Sequence, residues 1–221
     1  MINYQYLTYI KINSTTKFLT VMLIQFFTYA QSNAQENFLV ELKSVVPNIR
    51  YELRYATKNN FTGKRIYPAN TDQTYMISEA AEALKNISQV LSKSNLGIVV
   101  WDAYRPFNAT VKFWNLIHDE RYVANPAKGS GHNRGIAIDM SLYDLSNGKL
   151  VEMPTGFDNF SDTAHHDFMS LDNEKIKNRL FLKNLMEQYG FQSFQTEWWH
   201  YSWPNNKGYE ILNIPFRKLK K

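Results

Sequence analysis

A chain of 221 residues, 44% hydrophobic and 15% aromatic, is long enough for one globular domain with a substantial core. It contains no cysteine, which excludes disulfides, thiol nucleophiles and thiolate-held metal, so any metal must be held by His, Asp or Glu. The formal charge of +5 sits at the two ends, on Lys11 and Lys17 and on Arg217, Lys218, Lys220 and Lys221, leaving the body near neutral; with no basic stripe interleaved with aromatics, the reading is no nucleic-acid partner.

In chain order, Lys11 and Lys17 precede an apolar run over residues 18–30 (FLTVMLIQFFTYA), and small residues follow it. This reads as a signal peptide over residues 1–34, cut after Ala30 or Ala34. The run is shorter than the ~20 apolar residues of a membrane-spanning helix, so no lasting membrane insertion is expected after cleavage; an uncleaved anchor is the competing reading. The mature chain, 35–221, is expected to be exported, periplasmic or secreted.

Ser78 is placed to cap a helix over about residues 78–91, where Ala80, Ala83, Leu84, Ile87, Val90 and Leu91 share one face. Residues 96–102 (LGIVVWD) suit a buried strand, and Pro106 opens a second helix reaching about Glu120. The Gly-, Asn- and Pro-rich stretch 124–135 reads as a loop. The strand after it, 136–142, alternates so that Asp139 points away from the face of Ile136, Ile138, Met140 and Leu142. A third helix is expected over about 174–189, stopped at Gly190, and two short strands over 191–203. Helices and strands in this irregular order predict an α+β domain rather than regular βαβ winding.

The chemistry-bearing residues lie between these elements. His132, Asp139 and His200 supply the two His and one carboxylate with which a catalytic zinc commonly leaves a fourth position for water. Glu197, three residues before His200, is the candidate general base. Residues three apart face opposite ways on an ideal strand, so Glu197 can join His200 only from the strand's start or a bulge. Arg105, directly after the 96–102 strand, is placed to stabilise a tetrahedral oxyanion or to hold a substrate carboxylate; pairing with Asp102 as a simple brace is the alternative. His165 and His166 are not expected as ligands, because a fourth His would take the position water needs. Trp198 and Trp199 read as packing walls, while Tyr75, Tyr104 and Tyr122 are all candidate donors to substrate.

Residues 130–139, SGHNRGIAID, resemble the SxHxxGxAxD signature, and EWWH at 197–200 resembles the ExWH signature, of the zinc D-Ala-D-Ala peptidases of the VanX-like dipeptidase group. Segments at 55–63, 102–106 and 157–166 point the same way, so the resemblance spans about residues 45–205. It implies a Hedgehog/DD-peptidase-like α+β fold with a central, mostly antiparallel sheet flanked by helices. It also implies one Zn2+ per chain on His132, Asp139 and His200, Glu197 as general base, Arg105 at the tetrahedral intermediate, and Asp158 near the free amino group of a small D-amino-acid dipeptide. Ser130 is assigned to the His132 loop or the substrate. A carboxypeptidase or endopeptidase acting on longer peptidoglycan stems would share the zinc residues and differ in pocket openness. A non-catalytic zinc or cell-wall binding module is the reading from a different class.

Overall fold

A computed structural model describes residues 39–120 and 122–220. The expected leader lies outside the described residues. Among the described residues no helix is long and apolar enough to cross a membrane.

Among the described residues seven strands form two sheets: β1 (Leu39–Glu41), β2 (Ile49–Tyr51), β3 (Tyr75–Ile77), β4 (Leu96–Asp102), β5 (Ala137–Asp144), β6 (Gln192–Phe194) and β7 (Glu197–Ser202). β1 and β3 make an antiparallel pair, and the others form one five-stranded sheet in the order β2-β4-β5-β7-β6. Within it β2 runs parallel to β4 while the remaining three pairings are antiparallel, so the fold is α+β with a mostly antiparallel central sheet. Among the same residues four α-helices accompany the strands: α1 (Ser78–Lys93), α2 (Phe107–Ile117), α3 (Asn173–Gln188) and the short α4 (Phe216–Leu219).

Helix α1 forms on its helical apolar period. Ala80, Leu84, Ile87 and Leu91 are all fully buried, against a core that includes Ile98 and Val100 of β4 and Met140 and Leu142 of β5. Burying each of the larger aliphatic side chains contributes about 1.5–3 kcal/mol, which is what fixes this helix on the sheet. Ser78 is not its cap, because the N-cap position falls on Ile77 and Ser78 is already helical. Helix α2 stops before Glu120. His118 adopts a left-handed conformation at φ 50° and its N–H closes on Trp114 O, which ends the helix three residues earlier than the pattern of side chains suggests. At the other boundaries the pattern holds: β4 spans 96–102, and α3 gives way to Gly190 at φ 93°.

The basic C-terminal tail is docked on the domain. Phe216 and Leu219 are buried although Arg217 and Lys218 are exposed, and Ile214 N–H and C=O both bond the Tyr104 hydroxyl. Leu212 N–H donates to Asn133 O, and Phe107 N–H, at the start of α2, donates to Leu212 O. Apolar residues spaced three apart anchor this segment, so its charge alone misleads about its place.

Beyond the site, a loop over residues 161–170 is tied to α3 by Arg179, whose fully buried guanidinium donates to His165 O and Phe168 O. His166 is also buried, its backbone N–H bonding Gln195 O and its ring edge-on to Tyr201 at 6.4 Å. Burial pushes the imidazole from 6.5 down to about 4, helped by Lys183 and Arg179 and opposed by Glu187 and Asp167. The unfolded chain therefore binds the extra proton first as pH falls. The stability this neutral ring contributes is complete above pH 6.5 and is lost as pH drops through that value toward about 4. Urea midpoints measured near neutrality and near the middle of that window are expected to fall more steeply for the wild type than for His166→Leu. Equal falls would place the acid sensitivity elsewhere.

Candidate metal and catalytic site

The site is built on the register of three neighbouring strands. On β4 the pairing slips between Val100 and Asp102, which places Asp102 opposite Asp139 of β5. Asp139 in turn stands opposite His200 of β7. Asp102, Asp139 and His200 thus form one row across the sheet. His132 reaches the row from a single 3-10 turn, His132–Arg134, which closes at Gly135 with φ 68°, a conformation that glycine takes without steric cost.

His132, Asp139 and His200 each offer one ligand atom, all within 4.8 Å of one another. His132 Nε2 lies 3.3 Å from His200 Nδ1 and 3.4 Å from Asp139 Oδ2, and His200 Nδ1 lies 2.8 Å from Asp139 Oδ1. Tetrahedral zinc with ligands at ~2.0–2.1 Å sets neighbouring donors about 3.3 Å apart, so the donor set and its spacing fit zinc. The outer nitrogens are tied as a metal site requires. His132 Nδ1 donates to Ala103 O at 2.7 Å and His200 Nε2 meets Ser202 Oγ at 3.1 Å, which turns Nε2 of the first and Nδ1 of the second inward. Burial alone would push the Asp139 carboxyl up, but His132 and His200 beside it hold it well below the usual carboxylate range.

Glu197 is the first residue of β7, and the β6–β7 register shifts between Ser193 and Phe194, the bulge that its spacing from His200 demands. Its Oε2 lies 4.0 Å from His200 Nδ1. Burial raises its pKa, partly countered by His200.

Arg105 is nearly buried, with Nε and Nη2 donating to Asp102 Oδ2 at 3.0 and 2.8 Å. Its guanidinium lies over the rings of Phe113 and Tyr55, at 5.0 and 5.3 Å. The Asp102 pairing and a place in the pocket wall are both realised, so the brace and the chemical role are not exclusive. Asp102 itself is fully buried and takes a 2.7 Å bond from the Tyr67 hydroxyl on its other oxygen.

Asp158 sits in a left-handed conformation, φ 61°, with Tyr55 donating to Oδ1 at 2.9 Å and Phe61 N–H approaching Oδ2 at 3.4 Å. Burial pushes its carboxyl up to about 7, against the pull of the Tyr55 bond. Ser130 Oγ accepts the His132 N–H at 3.1 Å, so this serine braces the His132 turn while also lining the pocket. All seven residues singled out in the sequence (Arg105, Ser130, His132, Asp139, Asp158, Glu197 and His200) line one cavity of about 230 Å³.

Of the three candidate tyrosines, only Tyr122 lines this cavity; Tyr75 bonds Gln73 and Tyr104 bonds Ile214. His166 packs on Tyr201, and His165 faces Asp162 at 4.0 Å. Trp198 and Trp199 are fully buried, in contact with Trp101 and Phe157 respectively. Sequence reasoning missed three supports: Tyr67 behind Asp102, Ser202 behind His200, and Asn133. The buried Asn133 amide donates to Arg105 O at 2.9 Å and Thr110 Oγ1 at 2.9 Å and accepts from Ser130 N–H at 3.0 Å, locking the Arg105 segment to the His132 loop. Asn133 was legible only as a variable position inside the loop motif. Ser202 carried a signal, standing two residues after His200 and so on its side of the strand.

Comparison with known proteins identifies the family. A family model described as D-Ala-D-Ala dipeptidase matches residues 35–219. The D-alanyl-D-alanine dipeptidase of Escherichia coli is 35% identical over 178 residues, 80% of this chain and 91% of that protein. The enzyme of the same name from Enterococcus faecium is 33% identical over 178 residues, 72% of this chain and 88% of that one. Among solved structures, the LdcB LD-carboxypeptidase matches with a TM-score of 0.42 and 17% identity over 82% of this chain and 76% of its own. With the family model covering most of its length and relatives above 30% identity, the chain belongs to the D-Ala-D-Ala dipeptidase family of zinc metallopeptidases.

Proposed function

We infer that this protein hydrolyses D-alanyl-D-alanine, with one zinc ion held by His132, Asp139 and His200, in the turnover of cell-wall peptides. The observation that carries the reading is the convergence of the metal-donor triad, the half-buried Glu197 carboxylate, a guanidinium and a second carboxylate in one small cavity. Zinc bound there supplies a water of lowered pKa and polarises the scissile carbonyl.

The chain's own residues do the rest. Glu197 takes the proton of the attacking water and returns it to the leaving amine; its raised pKa suits a group that must hold that proton between the two steps. Arg105, pinned by Asp102 and shielded by Tyr55 and Phe113, offers a fixed cation to the developing oxyanion, where burial strengthens the interaction and little reorganisation is needed. Asp158 receives the free ammonium of the substrate, and a neighbouring cation draws its raised pKa back toward the ionised form. Ser130 Oγ, with one lone pair committed to His132 N–H, has its own O–H to offer the substrate's carboxylate end.

The cavity of about 230 Å³ is small beside the ~300–1,000 Å³ of pockets for drug-sized ligands, which favours a dipeptide over a peptidoglycan stem. The apolar run at residues 18–30 behind Lys11 and Lys17 supports export, so the enzyme would meet wall-derived peptides outside the cytoplasm.

Amino-acid release from D-Ala-D-Ala, with L-Ala-L-Ala and a wall pentapeptide in parallel, tests the assignment. Cleavage confined to D-Ala-D-Ala, abolished by a chelator and restored by zinc, is expected. Cleavage of the pentapeptide alone would make the protein a carboxypeptidase, and zinc binding without any cleavage would make it a binding module.

A further inference from the structure

The pocket beside Asp158 is bounded by three aromatic rings from three different loops. Phe160, two residues after Asp158, meets Phe61 edge-on at 5.3 Å and Tyr122 at 5.1 Å. Phe61 is itself stacked on Phe113 at 5.6 Å, and its backbone N–H faces Asp158. All four rings line the cavity. Phe160 is thus the ring that joins the loop carrying Phe61 to the loop carrying Tyr122, and it does so next to the carboxylate assigned to the substrate's amino end.

We propose that Phe160 is a specificity-determining residue that sets the length limit of the substrate, by filling the space an additional N-terminal residue would need beyond Asp158. The proposal rests on the dipeptidase reading and on Asp158 as the ammonium acceptor. Given these, the dipeptide's amino end stops at Asp158, and a peptide extended by one residue must displace the Phe160 ring from both neighbours. Phe61 is less suited to the part, because it also stacks on the ring beneath Arg105 and its N–H supports Asp158. Phe160 engages the interlock through its side chain and stands two residues clear of Asp158, so it can be trimmed with the carboxylate's two donors left in place.

The test compares kcat/KM for D-Ala-D-Ala and for a tripeptide with one further N-terminal residue, using the full-length zinc-loaded protein and its Phe160→Ala, Phe160→Leu and Tyr122→Ala variants. The wild type is expected to favour the dipeptide, and Phe160→Ala to raise the tripeptide-to-dipeptide ratio by about 10-fold or more, on the scale of selectivity that side-chain volume in a pocket controls. Phe160→Leu should fall between, and Tyr122→Ala should shift the ratio the same way by freeing one side of the ring; these two also serve if Phe160→Ala does not fold. A ratio unchanged in the folded variants would overturn the proposal and leave discrimination to the Asp158 charge alone. A wild type that cleaves both peptides equally would overturn it while leaving the peptidase reading intact. Failure of the wild type to cleave D-Ala-D-Ala at all would remove the reading on which it rests, and the proposal with it.

Discussion

Glu197→Gln is expected to lower kcat on D-Ala-D-Ala by about 10²–10⁴-fold, the range that positioned general acid–base catalysis contributes. The amide keeps the shape and hydrogen-bonding capacity of the side chain but cannot accept the proton of the attacking water. Glu197 is not one of the three clustered donors, which hold their 2.8–3.4 Å spacing through Ala103 O and Ser202 Oγ, so zinc content should equal that of the wild type. Because the lost interaction is made chiefly in the transition state, kcat and kcat/KM should fall together with little change in KM. Steady-state kinetics paired with metal analysis decide the matter. Activity preserved at full zinc occupancy would take Glu197 out of the chemistry, and activity lost together with zinc would make it part of the metal site.

Substitution of Arg105 is expected to separate chemistry from stability. Arg105→Lys keeps the positive charge but loses the two N–H donors that converge on Asp102 Oδ2, and with them the fixed direction of the cation. A loss of about 10²–10³-fold in kcat is expected, as for removal of an oxyanion donor. Arg105→Ala should do more. It strands Asp102, fully buried and directly opposite Asp139, without its charge partner, and breaking a buried pair in this way costs about 3–5 kcal/mol. Thermal melts run beside the kinetics therefore order the proteins as wild type, then Lys, then Ala. If the Lys variant turned over at the wild-type rate, Arg105 would be the brace of Asp102 and nothing more.

Much of this was written in local patterns. The apolar period of α1, the β-branched run of β4 and the stop at Gly190 are short-range signals, and the observed elements follow them to within a few residues. The site residues were legible because their side-chain types are uncommon in such company: two histidines and an aspartate with metal-ligand chemistry, a glutamate three residues from one of them, and an arginine at a strand end. The strands 39–41, 49–51 and 75–77 were not, because three residues are too few to show a period.

By itself, then, the sequence determined the longer helices and strands and the side chains that are candidates for the chemistry. Only the tertiary structure decided how they meet. The slip in β4 that sets Asp102 opposite Asp139, the bulge that turns Glu197 toward His200, and the bonds from Tyr67, Asn133 and Ser202 all depend on strand register and loop closure. Periodicity reports the face on which a residue lies; it does not report which residue of a distant strand stands across from it. That choice is made when the core on both sides of the sheet is packed, since a slip of one residue would turn Asp139 away from His200 and bury the wrong face. The same packing holds the C-terminal segment, whose Phe216 lies against the rings of Tyr67 and Tyr104 and whose Leu219 is buried in the same cluster.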